Sequence, residues 1–186
     1  MNRFHRRYCA SRGWAQHVRD DLLPWALQGV RLGDDVLEVG PGLGVTTREL
    51  APAVPHLTVL EIDNRFVAGL REEFEPEVEV RQGDGAGMPL PDAGFSGAVC
   101  FTMLHHVPSA ERQDALFAEV HRVLRTGGVF AGSDSQPSLK FKLIHLFDTM
   151  VVIDPATLPR RLTDAGFAEV RVDTSANGVR FAATKA

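Results

Sequence analysis

At residues 36–44 the sequence is VLEVGPGLG, a short strand that leads directly into a loop with glycine at every second position. Gly40, Gly42 and Gly44 each lack a Cβ, which relaxes φ and lets a strand-to-helix turn come close to a ligand. A helix is predicted from Thr46 to Leu50. The pattern therefore predicts a nucleotide-like ligand above the first strand, and the alternative is a tight glycine-rich turn with no ligand.

Outward from this loop, short β-branched runs alternate with segments of helical periodicity, which predicts a parallel sheet covered by helices. The final runs flank Asn177-Gly178, a strong hairpin signal. The first ~30 residues are predicted to form helices that pack ahead of the first strand. The fold class is α/β, a doubly wound, mostly parallel seven-stranded sheet with an antiparallel C-terminal hairpin. Beyond the first strand, strands are expected at 56–62, 78–80, 94–101, 129–132, 169–174 and 179–183, with helices at 65–74, 110–124 and 155–165.

Length and composition limit the classes of protein to which the chain can belong. The chain has 186 residues, 44% of them hydrophobic and 24% charged, which fits one globular domain. The net charge of −4 gives no reason to expect a nucleic-acid partner. Cys9 and Cys100 form neither a disulfide framework nor a CxxC metal motif, so we expect no metal and a reducing, cytoplasmic location. No apolar stretch is long enough for a membrane span.

Two acidic residues are expected at the same edge of the sheet as the glycine loop. Glu61 ends the second predicted strand, where a carboxylate can accept hydrogen bonds from both ribose hydroxyls. Asp84 follows the third strand, where it can accept from an adenine amine or simply form a turn. Val45 departs from the small residue that a dinucleotide fingerprint needs, and no P-loop motif is present.

Further motifs extend the pattern: LEID at 60–63, GDGAGMPLPDAGFSGAVC at 83–100, FTMLHHV at 101–107 and LRTGGVF at 124–130. With VLEVGPGLG, this set resembles the class I S-adenosylmethionine-dependent methyltransferases, specifically the small-molecule (type 11-like) branch with the LHHV signature. The resemblance covers about residues 34–132 in the right order, and the tail at 158–183 is also similar. It implies a Rossmann-like fold and S-adenosylmethionine as cofactor. One departure is Ser96, where the family usually has Asp; it concerns a contact that supports the fold rather than cofactor binding.

The resemblance also implies roles for individual residues. Glu38 with the loop glycines would hold the methionine part of the cofactor, Glu61 the ribose and Asp84 the adenine amine. The remaining cofactor contacts would come from Ile62 and Gly85, beside the adenine, and from the Phe101 carbonyl, which would accept from the cofactor's ammonium.

The implied reaction is in-line transfer of a methyl group from a sulfonium to a small-molecule acceptor. This chemistry needs a positioned nucleophile, and a base where the acceptor is protonated. His105 and His106 follow the fourth strand and are the candidate bases, because the pKa of histidine suits proton removal near neutral pH; the alternative is a role in the cofactor loop or in packing. Adjacent side chains on an extended segment point to opposite sides, so at most one of the two is expected to face the site.

Substrate recognition is expected outside the cofactor-binding core, which we place at 34–186. The segments available for substrate recognition are a helical cap at 1–33 and a short lid near 133–154. The apolar stretch 138–150 either belongs to that lid or packs in the core. A small, apolar acceptor is therefore expected, or a homodimer in which a partner subunit completes the pocket. The alternatives are a non-catalytic, regulatory S-adenosylmethionine-binding protein and an NAD-dependent oxidoreductase.

Overall fold

A computed structural model describes residues 3–138 and 149–186 of the chain, and the strands in these ranges form one seven-stranded sheet. Five strands run parallel, and β7 lies antiparallel between β5 and β6. The order across the sheet is β3-β2-β1-β4-β5-β7-β6. Successive strands are therefore added toward one edge from β1 to β3 and toward the other edge from β4 to β6, so the strand order reverses between β1 and β4. The strands are β1 Asp35–Val39, β2 His56–Glu61, β3 Val78–Gln82, β4 Phe95–Phe101, β5 Leu124–Ser135, β6 Phe167–Thr174 and β7 Gly178–Lys185.

Helices cover both faces of this sheet. They are α1 Arg3–Cys9, α2 Arg12–His17, α3 Leu23–Ala26, α4 Val45–Leu50, α5 Asn64–Phe74, α6 Ala110–Val123 and α7 Leu158–Asp164. A π-helical turn, Val18–Leu22, joins α2 to α3, and 3₁₀ turns occupy Ala51–Ala53 and Leu104–His106. Asp63 and Ser109 cap α5 and α6 by accepting from backbone N–H groups at 2.9 and 3.2 Å. No helix within the described ranges combines the length and the apolar character that crossing a bilayer requires.

The alternation of side chains along the strands separates two cores. On one face, Ala98 and Cys100 of β4 pack with apolar residues of α6 and α7. On the other, Val99 and Phe101 pack with α4, α5 and the leucines of the N-terminal helices. The helical segment before β1 is therefore attached to the sheet through a shared core, on the face that carries Phe101.

The predicted architecture is confirmed, although several element bounds shift: β6, for example, begins at Phe167 rather than at 169, and β3 ends at Gln82 rather than at 80. Two further shifts have a local cause. The last helix begins at Leu158 rather than at 155, because the Asp154 carboxylate accepts from Ala156 N at 3.0 Å and forms a turn there. Strand β5 is longer than 129–132: it starts at Leu124, which pairs with Phe95, and bulges around Gly127, whose φ is +79°. Of the apolar stretch 138–150, residues 139–148 lie outside the described residues.

Ser96 supplies a contact of its own where the family usually has Asp. Its hydroxyl lies 3.0 Å from Asp35 N and 2.9 Å from Leu32 O, which ties β4 to the segment entering β1. The Ser96 hydroxyl therefore holds the start of β1 against β4 through hydrogen bonds.

Candidate functional site

A cavity of about 1340 Å³ opens at the carboxyl ends of the parallel strands, between the sheet edge and the N-terminal helices. In open α/β sheets this edge, where the strand order reverses, is where ligands bind. Most of the predicted site residues line the cavity: Gly40, Gly42, Glu61, Ile62, Asp84, Gly85, Phe101, His105 and His106. Glu38 and Gly44 do not line it, because the Glu38 side chain is buried and Gly44 packs against α5.

The glycine loop presents its middle residue to the cavity. Gly42 has φ +56°, and a Cβ built on it would meet no heavy atom within 4 Å, so the backbone there faces open space. Gly44, at φ +70°, has a different reason for lacking a side chain: a Cβ would come within 2.6 Å of the Phe74 ring on α5. The loop thus combines one residue open to a ligand with one packed against a helix.

Glu38 holds this loop in place from below. Its carboxylate, 1% exposed, accepts from the hydroxyls of Thr46 and Thr47 at the start of α4, the latter at 2.6 Å. Burial raises the pKa of the Glu38 carboxyl to about 7, while the two threonine hydroxyls oppose the rise. Glu38 is therefore a positioning residue that connects β1 to the helix after the loop.

The Glu61 carboxylate closes the other side of the loop. It accepts from Gly42 N at 3.0 Å through one oxygen and from Asp63 N at 2.9 Å through the other. Each carboxylate oxygen has two lone pairs, so Glu61 keeps acceptor capacity for hydroxyl groups of a ligand. The neighbouring Ile62 side chain is 63% exposed, an apolar surface beside this carboxylate that a flat ring can cover.

Asp84 and Gly85 form the next part of the same edge. One Asp84 oxygen accepts from Ala86 N at 2.9 Å, and the other pairs with Arg112 of α6. A Cβ on Gly85 would lie 2.9 Å from Leu116 Cδ1, so the backbone packs close to α6. Asp84 is thus both the turn-forming residue and an oriented carboxylate facing the cavity.

The two histidines lie in a 3₁₀ turn after β4, not in an extended segment. Their ring centroids are 4.2 Å apart, and both line the cavity. His105, 2% exposed, has Nδ1 2.5 Å from Asp134 Oδ1, and its backbone N–H donates to Asp134 Oδ2 at 2.9 Å. The His106 ring stacks on His5 of α1, with centroids 5.1 Å apart. The tight turn explains why both rings reach one cavity.

Residues outside the sequence motifs form the rest of the cavity wall. Asp134, on β5, orients His105, and Trp25, on α3, lines the cavity near the hairpin. The Arg180 guanidinium of β7 donates to Trp25 O at 2.5 Å and lies 5.5 Å from the indole centroid. Asp134 lies within β5, and nothing in the sequence around it indicates its contact with His105, which is 29 positions away. No local pattern indicates Trp25, because its place depends on β7.

The methyltransferase domain family matches residues 36–128, half of the chain, and this range contains the glycine loop, Glu61, Asp84 and the histidine turn. The chain belongs to this family of class I methyltransferases. S-adenosylmethionine is the cofactor of the family, and the residues at the edge of this methyltransferase fit it. The open Gly42 backbone, the Glu61 carboxylate and the exposed Ile62 surface suit the methionine, ribose and adenine parts in turn.

Two curated relatives are methyltransferases, and one of them is named for a ribosomal RNA acceptor. A probable S-adenosylmethionine-dependent methyltransferase of Mycolicibacterium smegmatis is 38% identical over 98 residues, which cover 53% of this chain and 37% of that protein. Ribosomal RNA small subunit methyltransferase A of Laribacter hongkongensis is 51% identical over 55 residues, covering 29% of this chain and 21% of that protein. The chain spans well under half the length of these two relatives.

A solved structure shares the fold along the whole chain. One chain of the complex between the Haloferax volcanii Trm112 methyltransferase activator and a methyltransferase superposes with a TM-score of 0.76 at 16% identity. The match covers 100% of this chain and 98% of that one. At this identity the similarity establishes the fold alone.

Proposed function

We propose that this methyltransferase transfers a methyl group from S-adenosylmethionine to a small-molecule acceptor by in-line displacement. The observation that carries the proposal is the charge of the cavity wall. Six carboxylates line it, and Arg112, paired with Asp84, is the sole lysine or arginine among the described lining residues. Such a wall favours a cationic cofactor and a neutral or cationic acceptor, and it repels anionic groups.

The chain's own residues hold the cofactor along the sheet edge. The Gly42 backbone leaves room for the methionine part, Glu61 would accept from the ribose hydroxyls, and Asp84, paired with Arg112, would accept from the adenine amine. Ile62 and Gly85 would lie beside the adenine, and the Phe101 carbonyl at the end of β4 would accept from the ammonium. When bound, S-adenosylmethionine supplies an electrophilic methyl group on a sulfonium whose sulfur is already a good leaving group.

The base for a protonated acceptor comes from the histidine turn. Asp134 fixes the ring of His105 through a buried hydrogen bond, the orienting role that a carboxylate has beside a histidine base. His106 lies against the same ring and is the second candidate. A proton taken from the acceptor then stays on an imidazole paired with a buried carboxylate.

A ribosomal RNA acceptor is the second candidate, because of the identity to the Laribacter hongkongensis enzyme over 55 residues. Proteins that bind nucleic acid neutralise phosphates with lysine and arginine. The described cavity wall offers one arginine, already paired, and the net charge is −4. The charge balance therefore favours a small molecule.

An assay that detects S-adenosylhomocysteine tests the proposal. Purified protein is incubated with S-adenosylmethionine and, in separate reactions, with phenols, amines, carboxylates, lipids and small-subunit ribosomal RNA. Turnover with one of the neutral or amine acceptors is expected. Turnover with RNA alone would support the second candidate, and tight cofactor binding without turnover on any acceptor would support a regulatory protein.

A further inference from the structure

One buried hydroxyl on the cavity wall lacks a partner. Ser133, on β5, is 2% exposed, and its Oγ makes no hydrogen bond, the one such buried side-chain atom among the residues that the structure describes. Burying a polar group without a hydrogen-bond partner is energetically unfavourable. Since Ser133 lines the cavity, a ligand group that binds there can satisfy the hydroxyl.

The strand register places Ser133 away from the cofactor loop. Ser133 pairs with Phe101 on one side and with Arg180 on the other, and in-register neighbours share a face of the sheet. Phe101 packs with the leucines of the N-terminal helices. The Ser133 hydroxyl therefore faces these helices, with β1 and its glycine loop on the far side of β4.

The Trp25 indole lies beside the end of the β5–β7 pair, two residues along β5 from Ser133. A Cβ on Gly178, which pairs with Ser135, would be 3.4 Å from Trp25 Cη2, so the indole covers the strand ends beside Ser133. Lysine and arginine are absent from the described wall here, since Arg112 is at the adenine end. Arg180, the in-register neighbour of Ser133, has its guanidinium already engaged by Trp25 O and Asp173 and does not line the cavity. The described wall near Ser133 thus combines one unsatisfied hydroxyl and an aromatic surface with no unpaired cation for an anionic ligand.

We propose that Ser133 and Trp25 form the acceptor subsite, which takes an uncharged aromatic molecule carrying a hydroxyl group. The ring lies against the Trp25 indole, and the acceptor's hydroxyl exchanges a hydrogen bond with Ser133 Oγ. This inference rests on the proposed function, because it assigns the acceptor end of the same cavity. It gives Ser133 the role of a specificity-determining residue with no part in binding the cofactor.

Two probes that differ by one hydroxyl test the subsite without turnover. 4-Methylphenol and toluene are titrated into protein saturated with S-adenosylhomocysteine, and binding is followed by ligand-observed NMR. The wild-type protein should prefer 4-methylphenol by about 3- to 10-fold, the value of one buried neutral hydrogen bond. Ser133→Ala should reduce this preference to less than twofold, while Trp25→Leu should weaken both probes together.

Ser175→Ala is the matched control. Ser175 also lines the cavity, but its hydroxyl already bonds Gly178 O at 3.4 Å, so the preference should persist. Absence of 4-methylphenol binding, or an unchanged preference in Ser133→Ala, would overturn the inference. Weaker S-adenosylhomocysteine binding by Ser133→Ala would also overturn it, by assigning Ser133 to the cofactor. If the wild-type protein binds no S-adenosylhomocysteine, the proposed function itself fails, which is a separate result.

Discussion

Glu38 gives the sharpest test of the site's electrostatics. Its carboxyl is fully buried behind the glycine loop, and burial raises its pKa from 4.5 to about 7. Between these two values the folded protein binds more protons than the unfolded chain, so the free energy of unfolding falls as pH rises. The stabilisation is fully present below pH 4.5 and is lost by the time pH passes 7.

The size of this effect follows from the two pKa values. One pKa unit corresponds to about 1.4 kcal/mol, so Glu38 should reduce the free energy of unfolding by up to about 3 kcal/mol across the window. Glu38→Gln keeps the shape of the side chain and cannot ionise. Relative to this variant, the wild-type protein should therefore lose stability steadily between pH 5 and 8.

Urea denaturation at a series of pH values measures the difference. Glu72→Gln, which removes a negative charge from an exposed position, is the control and should follow the wild-type curve. Parallel stability curves for wild type and Glu38→Gln would refute the reasoning, because they would mean that Glu38 titrates alike in both states. If Glu38→Gln does not fold, the carboxyl can be titrated directly in the wild-type protein by ¹³C NMR.

Three further predictions concern the cavity and its support. Glu61→Ala and Asp84→Ala should each weaken S-adenosylhomocysteine binding by about 1–3 kcal/mol, the loss of a buried hydrogen bond; calorimetry measures this, and unchanged affinity in both would remove them from the site. His105→Gln should lower kcat on a protonated acceptor far more than it lowers cofactor affinity, whereas loss of a purely structural His105 would reduce cofactor affinity and kcat together; steady-state kinetics and calorimetry separate the two outcomes. Ser96→Ala removes the hydroxyl that ties Asp35 N to β4 and should lower the free energy of unfolding by about 1–3 kcal/mol, measured with urea, with cofactor affinity unchanged.

The fold and the cofactor end of the site could be predicted from sequence because their signals are local. Strand runs, the GPGLG loop and the Asn177-Gly178 turn act within a few residues, and Glu61 and Asp84 follow strands whose carboxyl ends share one edge. The structure matches these expectations because each signal depends on backbone conformation and hydrophobic pattern within a few neighbouring residues. The bulge around Gly127 shows the limit: a glycine pair marks a positive φ without saying that the strand begins before it.

The acceptor end could not be predicted, because distant residues build it. The Asp134 carboxylate meets His105 across 29 positions of sequence, and the two histidines face one cavity only because the chain forms a 3₁₀ turn. Nothing in the sequence distinguishes Ser133 from other serines. Its hydroxyl becomes a candidate contact only because the fold buries it away from water without a hydrogen-bond partner. Glu38 differs in another way: the family resemblance implies a cofactor contact, whereas burial places its carboxylate under the loop.

The contact between Arg180 and Trp25 joins residues 155 positions apart. Strand β7, which carries Arg180, inserts between β5 and β6 and is the last of the seven strands along the chain. A nascent chain that ends before β7 can form the glycine loop, pair β1 with β2 and pack its first helices on the core that they share with β4, but it lacks the Arg180 contact to Trp25. During synthesis, the cavity wall at Trp25 is thus completed later than the wall at the glycine loop.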